Sequence, residues 1–210
     1  MSRVLPILFN TEMVRAILDG RKSCTRRLVK PQPDEKHTYP LGFVTDSTEK
    51  KEVGCFGFGI DEYGGSIQYA KPQYQPGDIL YVRETWSEGY EDGTYIYRAD
   101  DKLADLPTFK ESSKLIYHPS IHMPKEAARI WLKVTNVRVE RLQEITIDGI
   151  RNEGISSMAV HAGDMEIALK EWKNLWNSTI KKNRPDSYGW DANPWVWVIE
   201  FERCEKPEGV

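Results

Sequence analysis

The run Gly20-Arg21-Lys22-Ser23-Cys24-Thr25-Arg26-Arg27 sets four cations, a threonine hydroxyl and a thiol within eight residues. Crowded cations repel one another, and partial desolvation adds to the cost of keeping them all charged. A lysine that gives up its proton under that pressure becomes a base, able to take the proton of a hydroxyl such as that of Thr25. A plainer reading competes: Arg21 and Lys22 complement the negative end of a helix and stay solvated. Cys24, in the same cationic turn, can carry a lowered thiol pKa, but no partner histidine can be placed beside it, so it is not read as the nucleophile.

These residues need an element to present them. Upstream, Met13, Val14, Ile17 and Leu18 recur at helical spacing, and Asn10 or Thr11 can cap the start. Gly20 is placed to end that helix in a left-handed turn. Residues 3–9 read as a first strand feeding the helix. In residues 30–78, rich in Gly, Pro and charge, Gly54–Gly59 alternates glycine with aromatic residues and Gly64-Gly65 follows; this predicts a β-hairpin, not a dinucleotide loop. Ile79–Trp86 reads as a strand, with Thr94–Arg98 pairing to its end, and 99–124 as irregular.

Ala128–Leu142 carries the clearest β pattern. Ile130, Leu132 and Val134 alternate, then Val137 and Val139 alternate in the opposite phase. The phase change at Thr135-Asn136 predicts a bulge, which suits a closed barrel. Thr146 caps a short helix ending near Gly154. A second helix over about 163–180 carries a Trp/Leu stripe, and Pro194–Cys204 is a last strand with Trp195, Trp197, Ile199 and Phe201 on one face. Helices interspersed among distant strands predict one α+β domain spanning 1–210, built on a small mixed β-barrel with short flanking helices.

Composition narrows the partners. The 210 residues carry 29 Lys and Arg against 32 Asp and Glu, a net charge of -3, with 40% hydrophobic residues and seven tryptophans. That balance does not suit a duplex-DNA binder and fits a small or short substrate better. Three scattered cysteines, no signal-peptide pattern and no long apolar run predict a reduced, cytoplasmic protein off the membrane. His37, His118, His122 and His161 lack metal-ligand spacing, so no metal and no cofactor are expected.

Four pieces stand together: the Gly20–Arg27 turn, Pro76-Gly77-Asp78 before a strand, Glu153-Gly154 closing a short helix, and an aromatic C-terminal strand. This combination resembles the ASCH family, relatives of the PUA domain with a β-barrel fold. The segments at about 31–75, 87–118 and 156–190 then look like insertions into the minimal domain. Arg83-Glu84-Thr85-Trp86 and Ser120–Pro124 look like the bacteriophage branch, which implies the host cytoplasm. The small ASCH amidohydrolases remove the acetyl group of acetylcytidine with a lysine, a threonine and a glutamate. The resemblance places these roles on Lys22 as base, Thr25 as nucleophile and Glu153 as the group that orients the lysine or shuttles the proton. Ser23-Cys24 between the lysine and threonine, the extra Arg27 and the doubled length depart from the minimal pattern.

Other residues carry two readings each. Arg21 and Arg26 can hold substrate. Arg83 and Glu84 can form a structural ion pair or face the barrel mouth. Trp86 can stack on a base or pack in the core, and His122 can be structural or a proton carrier. The function implied is a small hydrolase of a modified nucleobase or nucleoside. The alternatives are a module that binds single-stranded RNA without cleavage, and a ribonuclease using the same cleft.

Overall fold

The computed structural model describes residues 2–89, 93–101, 116–181 and 184–209. Strand β1 (Val4–Leu8) leads into helix α1 (Thr11–Leu18), where Asn10 Oδ1 accepts the Met13 N–H at 2.9 Å. The helix buries Val14, Ala16 and Ile17 and stops at Gly20, whose φ of +72° only glycine adopts cheaply. Strand β2 (Cys24–Leu28) follows. Strands β3 (Tyr39–Phe43), β4 (Phe56–Gly59) and β5 (Ile67–Ala70) form a small antiparallel sheet, the last two being the expected glycine-rich hairpin.

The main sheet has five strands in the order β1-β6-β9-β10-β2, with β6 at Ile79–Arg83, β9 at Trp131–Arg141 and β10 at Trp195–Cys204. The expected bulge is present: Glu200 faces Asn136 and Phe201 faces Val134, which leaves Thr135 over. Alternation along β10 then sorts the core. Trp195, Trp197, Ile199 and Phe201 pack with Ile7, Leu80 and Val82, and with Phe56 and Phe58 of the small sheet. Val196 and Val198 face the other way, onto Cys24 and the helices α2 (Ile147–Asn152), α3 (Met158–Ala162) and α4 (Met165–Thr179). Trp172 and Trp176 of α4 are the buried centre of that layer.

The fold is α+β, as expected, but the expected closed barrel is not what forms. The described strands make three open sheets, and β1 and β2 remain the two edges of the largest one. A side chain spans the gap where a backbone ladder would have closed it: Arg27 Nη2 donates to the Leu8 carbonyl at 2.8 Å. The expected strand Ile79–Trp86 is also split into β6 and β7 (Trp86–Glu88). The break falls at Glu84, which turns inward to Arg129, and β7 pairs instead with β8 (Tyr95–Tyr97). Much of the stretch read as irregular, 102–115, lies outside the described residues, as does part of the segment 87–118 read as an insertion. Among the described residues no helix is long and apolar enough to cross a membrane.

Candidate functional site

Gly20 turns the chain so that the N–H groups of Arg21 and Lys22 both donate to the Ala16 carbonyl, at 2.8 and 3.0 Å. This folds the Lys22 side chain back over the Phe9 ring, with Nζ 5.5 Å from its centroid. The partner arrives from the far end of α2. Thr146 Oγ1 accepts the Gly149 N–H and starts that helix; Glu153 ends it, followed by Gly154 at φ +95°. A β-carbon on Gly154 would meet Ala16 Cβ at 2.7 Å and Lys22 Cβ at 3.1 Å, so the close approach requires glycine. Arg21 Nη1 donates to the Gly154 carbonyl at 2.6 Å, and the Ser23 N–H to the Asn152 carbonyl at 2.9 Å.

Clamped this way, Lys22 Nζ lies 2.6 Å from Glu153 Oε2 and donates to the Glu153 carbonyl at 3.0 Å. The lysine side chain is fully buried and the carboxylate 2% exposed. The other carboxylate oxygen accepts from Arg26 Nη1 at 3.3 Å, and Arg26 Nη2 donates to Glu140 Oε2 at 3.0 Å. Glu140 continues to Arg138, and Arg138 to Glu200. Three cations thus alternate with three carboxylates, from Lys22 in the interior to Glu200 at the surface. A buried ion pair is held well only when its remaining hydrogen-bonding positions are filled, and here Arg26 fills the one on Glu153.

The structure joins Lys22 and Glu153 but does not bond either to Thr25. The hydrogen bonds of Nζ go to Glu153 alone among the described residues. Thr25, buried on β2 opposite Ile199, alternates with Cys24 and Arg26 and so shares the face of Arg27. Cys24 is not the thiolate its cationic neighbours suggested. Burial pushes its thiol up to about 12, and Glu153 adds to this against the pull of Lys22, Arg26 and Arg138. Arg21 is tied to Asp19 and the Gly154 carbonyl, and Arg26 to two carboxylates.

The second group of candidates gathers elsewhere. Arg83 Nε donates to the Met123 carbonyl at 2.8 Å, and buried Glu84 pairs with Arg129 at 2.9 and 3.1 Å. Burial raises the Glu84 carboxyl above its usual range, and Arg129 opposes the shift. Trp86 packs against Tyr95 and His118, with ring centroids 5.6 and 5.2 Å apart, while His122 is exposed. None of these contacts reaches Lys22, Thr25 or Glu153. Among the described residues no three His, Cys, Asp or Glu side chains come together as a metal-ligand set.

Sequence reasoning missed Phe9, Glu140 and Tyr74. Phe9 touches both Lys22 and Arg27, whose guanidinium sits 5.4 Å from the ring centroid. Burial holds that guanidinium below the usual arginine range, with Tyr74 and Glu153 pulling it back. Arg27 and Tyr74 then form part of the wall of a cavity of about 200 Å³, with Trp197 and Ile199 behind them. Glu140 shares one face of β9 with Arg138, and Arg26 lies across β10 from Arg138, a diagonal step from Glu140.

No protein-family model matches the sequence, and no curated protein matches it. A solved structure described as the "High resolution crystal structure of ASCH domain from Lactobacillus crispatus JV V101" aligns with 96% of this chain and 79% of that one, at 11% identity and a TM-score of 0.39. So loose a superposition defines neither fold nor function.

Proposed function

We propose that the chain is an ASCH-type hydrolase that cleaves an amide on a modified nucleobase or nucleoside, with Lys22 and Glu153 as its proton-handling pair. The observation that supports this reading is the 2.6 Å contact between Lys22 Nζ and Glu153 Oε2, buried and clamped by Arg26, with Thr25 three residues along the chain on β2. Lys22 and Glu153 together serve as the proton relay. It takes the proton of the Thr25 hydroxyl as that oxygen attacks the acyl carbon, then returns it to the leaving amine nitrogen. A water hydrolyses the resulting threonine ester and restores the hydroxyl. An ammonium carries three donors, and Glu153 occupies two of them. The third is left for the hydroxyl or for the carbonyl oxygen of the substrate. In this reading the acyl group approaches past Phe9, where Arg27 passes from the ring covering Lys22 to the wall of the 200 Å³ cavity. Incubation with a panel of N-acylated nucleosides and with single-stranded RNA, scored by mass spectrometry, tests it. Acyl release is the expected result. Shortened RNA would replace the reading with a ribonuclease, and retention of RNA with no product would replace it with a binding module.

A further inference from the structure

The ladder between β2 and β10 leaves the other edge of β2 open. The Val29 N–H donates to the Trp195 carbonyl and the Phe201 N–H to the Ser23 carbonyl, at 3.0 and 2.9 Å. With the register in step between these two bonds, the ladder falls on Thr25 and Arg27. Arg26 and Leu28 therefore turn their backbone N–H and C=O groups away from β10. None of these four groups has a hydrogen-bond partner among the described residues. Beside Arg26 and Leu28 lie two hollows of about 300 and 270 Å³, which share Leu28, Lys30, Thr179 and Ile180 and so form one slot. Trp176 and Thr179 of α4, with Ile180 after it, make a wall. Lys30, Lys181 and Arg184 line the slot, are exposed, and form no ion pair with a described carboxylate. Arg26 and Arg27 also touch it, but Glu153 acts on both, so neither belongs to this surplus. Past Lys181 the lining turns acidic, with Asp186 and Asp191.

We infer that this slot takes an extended acidic segment of a partner protein, added to β2 as a further strand. Backbone donors and acceptors left open along a strand edge are matched by the backbone of another strand. A polynucleotide offers no such alternation of N–H and C=O. Leu28 and Ile180 pack into the same helical layer, so the residue seated opposite Leu28 is apolar. Carboxylates on either side of it meet Lys30, Lys181 and Arg184, whose charge selects an acidic segment over a basic one. The hollow of about 200 Å³ at Arg27 and Tyr74 stays free, and with it the approach to Lys22. The slot does not depend on the hydrolase reading.

Fluorescence anisotropy with a labelled, end-blocked peptide, Glu-Glu-Val-Thr-Val-Glu-Glu, tests the slot on the full chain. Binding with a Kd below about 1 mM is expected, and the same peptide with Lys in place of Glu should bind about tenfold more weakly or worse. The double variant Lys181→Glu/Arg184→Glu, with folding checked by circular dichroism, should also lose about tenfold. Amide hydrogen exchange read by NMR reports the added strand itself. Saturating peptide should slow exchange at Arg26 and Leu28 by about tenfold or more and leave Thr25 and Arg27, already in the ladder, unchanged. No binding, binding indifferent to charge, or binding that leaves the Arg26 and Leu28 amides unprotected would overturn the proposal. So would a mixed-sequence RNA decamer that displaces the labelled peptide at a lower concentration than the unlabelled peptide does, because the slot would then belong to a polynucleotide.

Discussion

Lys22 and Glu153, 131 positions apart, meet both through their backbones, as an antiparallel bridge, and through their side chains at 2.6 Å. The backbone contact fixes where the side chains start, so the ion pair needs little further ordering. Around it, Arg26 holds the other carboxylate oxygen of Glu153, and Gly154 lets the chain pass close to Ala16. The two residues are thus a joint between α1 and α2 as well as the proposed chemical centre.

Removing the carboxylate should show the structural half of that role. Glu153→Ala leaves Lys22 and one side of Arg26 buried without counter-charge, which costs about 3–5 kcal/mol. Glu153→Gln keeps acceptor and shape and should cost less. Urea unfolding midpoints check both.

Gly154→Ala tests the close approach. The new β-carbon would lie 2.7 Å from Ala16 Cβ, in a left-handed backbone that L residues avoid. A loss of more than about 1 kcal/mol is expected in the same urea assay. Gly163→Ala, also at positive φ but with open space around it, should cost less.

Cys24 gives a pH dependence with a definite sign. Its folded-state thiol is pushed up to about 12, from an ordinary value of 9.0. Above pH 9 the unfolded chain releases this proton while the folded chain keeps it. Stability therefore falls as pH rises through that window, by about 1.4 kcal/mol per pH unit from this group. Below pH 9 the contribution is flat. The stability difference between parent and Cys24→Ala should shrink by about 1.6 kcal/mol as pH is raised from 9 to 10.5.

Thr25 separates a nucleophile from a core residue. Thr25→Val keeps volume and β-branching and should leave the fold standing while acyl release disappears. Thr25→Ser keeps the hydroxyl and should retain turnover. Mass-spectrometric detection of an acylated Thr25 peptide in a quenched reaction would register the ester directly.

Much of this was legible in the sequence because its signals are local. The Asn10 and Thr146 caps, the Gly20 turn and the phase change at Thr135 each depend on residues within a few positions. The Lys22–Glu153 meeting was expected from the resemblance to a known motif order and not from spacing. What failed was decided at longer range. Barrel closure depends on whether β1 and β2 pair, and Arg27 bridges them instead. The break in the strand after Arg83 depends on Arg129, 45 residues beyond Glu84. The direction of the Cys24 shift could not be read from the chain, because charge is visible in the sequence and burial is not: desolvation outweighs the neighbouring cations.

Turnover of the best acylated nucleoside or oligonucleotide by Lys22→Arg, beside the parent, tests the central claim most directly. Arginine keeps the positive charge opposite Glu153 but cannot exchange a proton at neutral pH. Near-complete loss of kcat in a variant that unfolds at the parent's urea midpoint is the predicted result. Turnover retained by Lys22→Arg, or no acyl release from any substrate by the parent protein, would contradict the account.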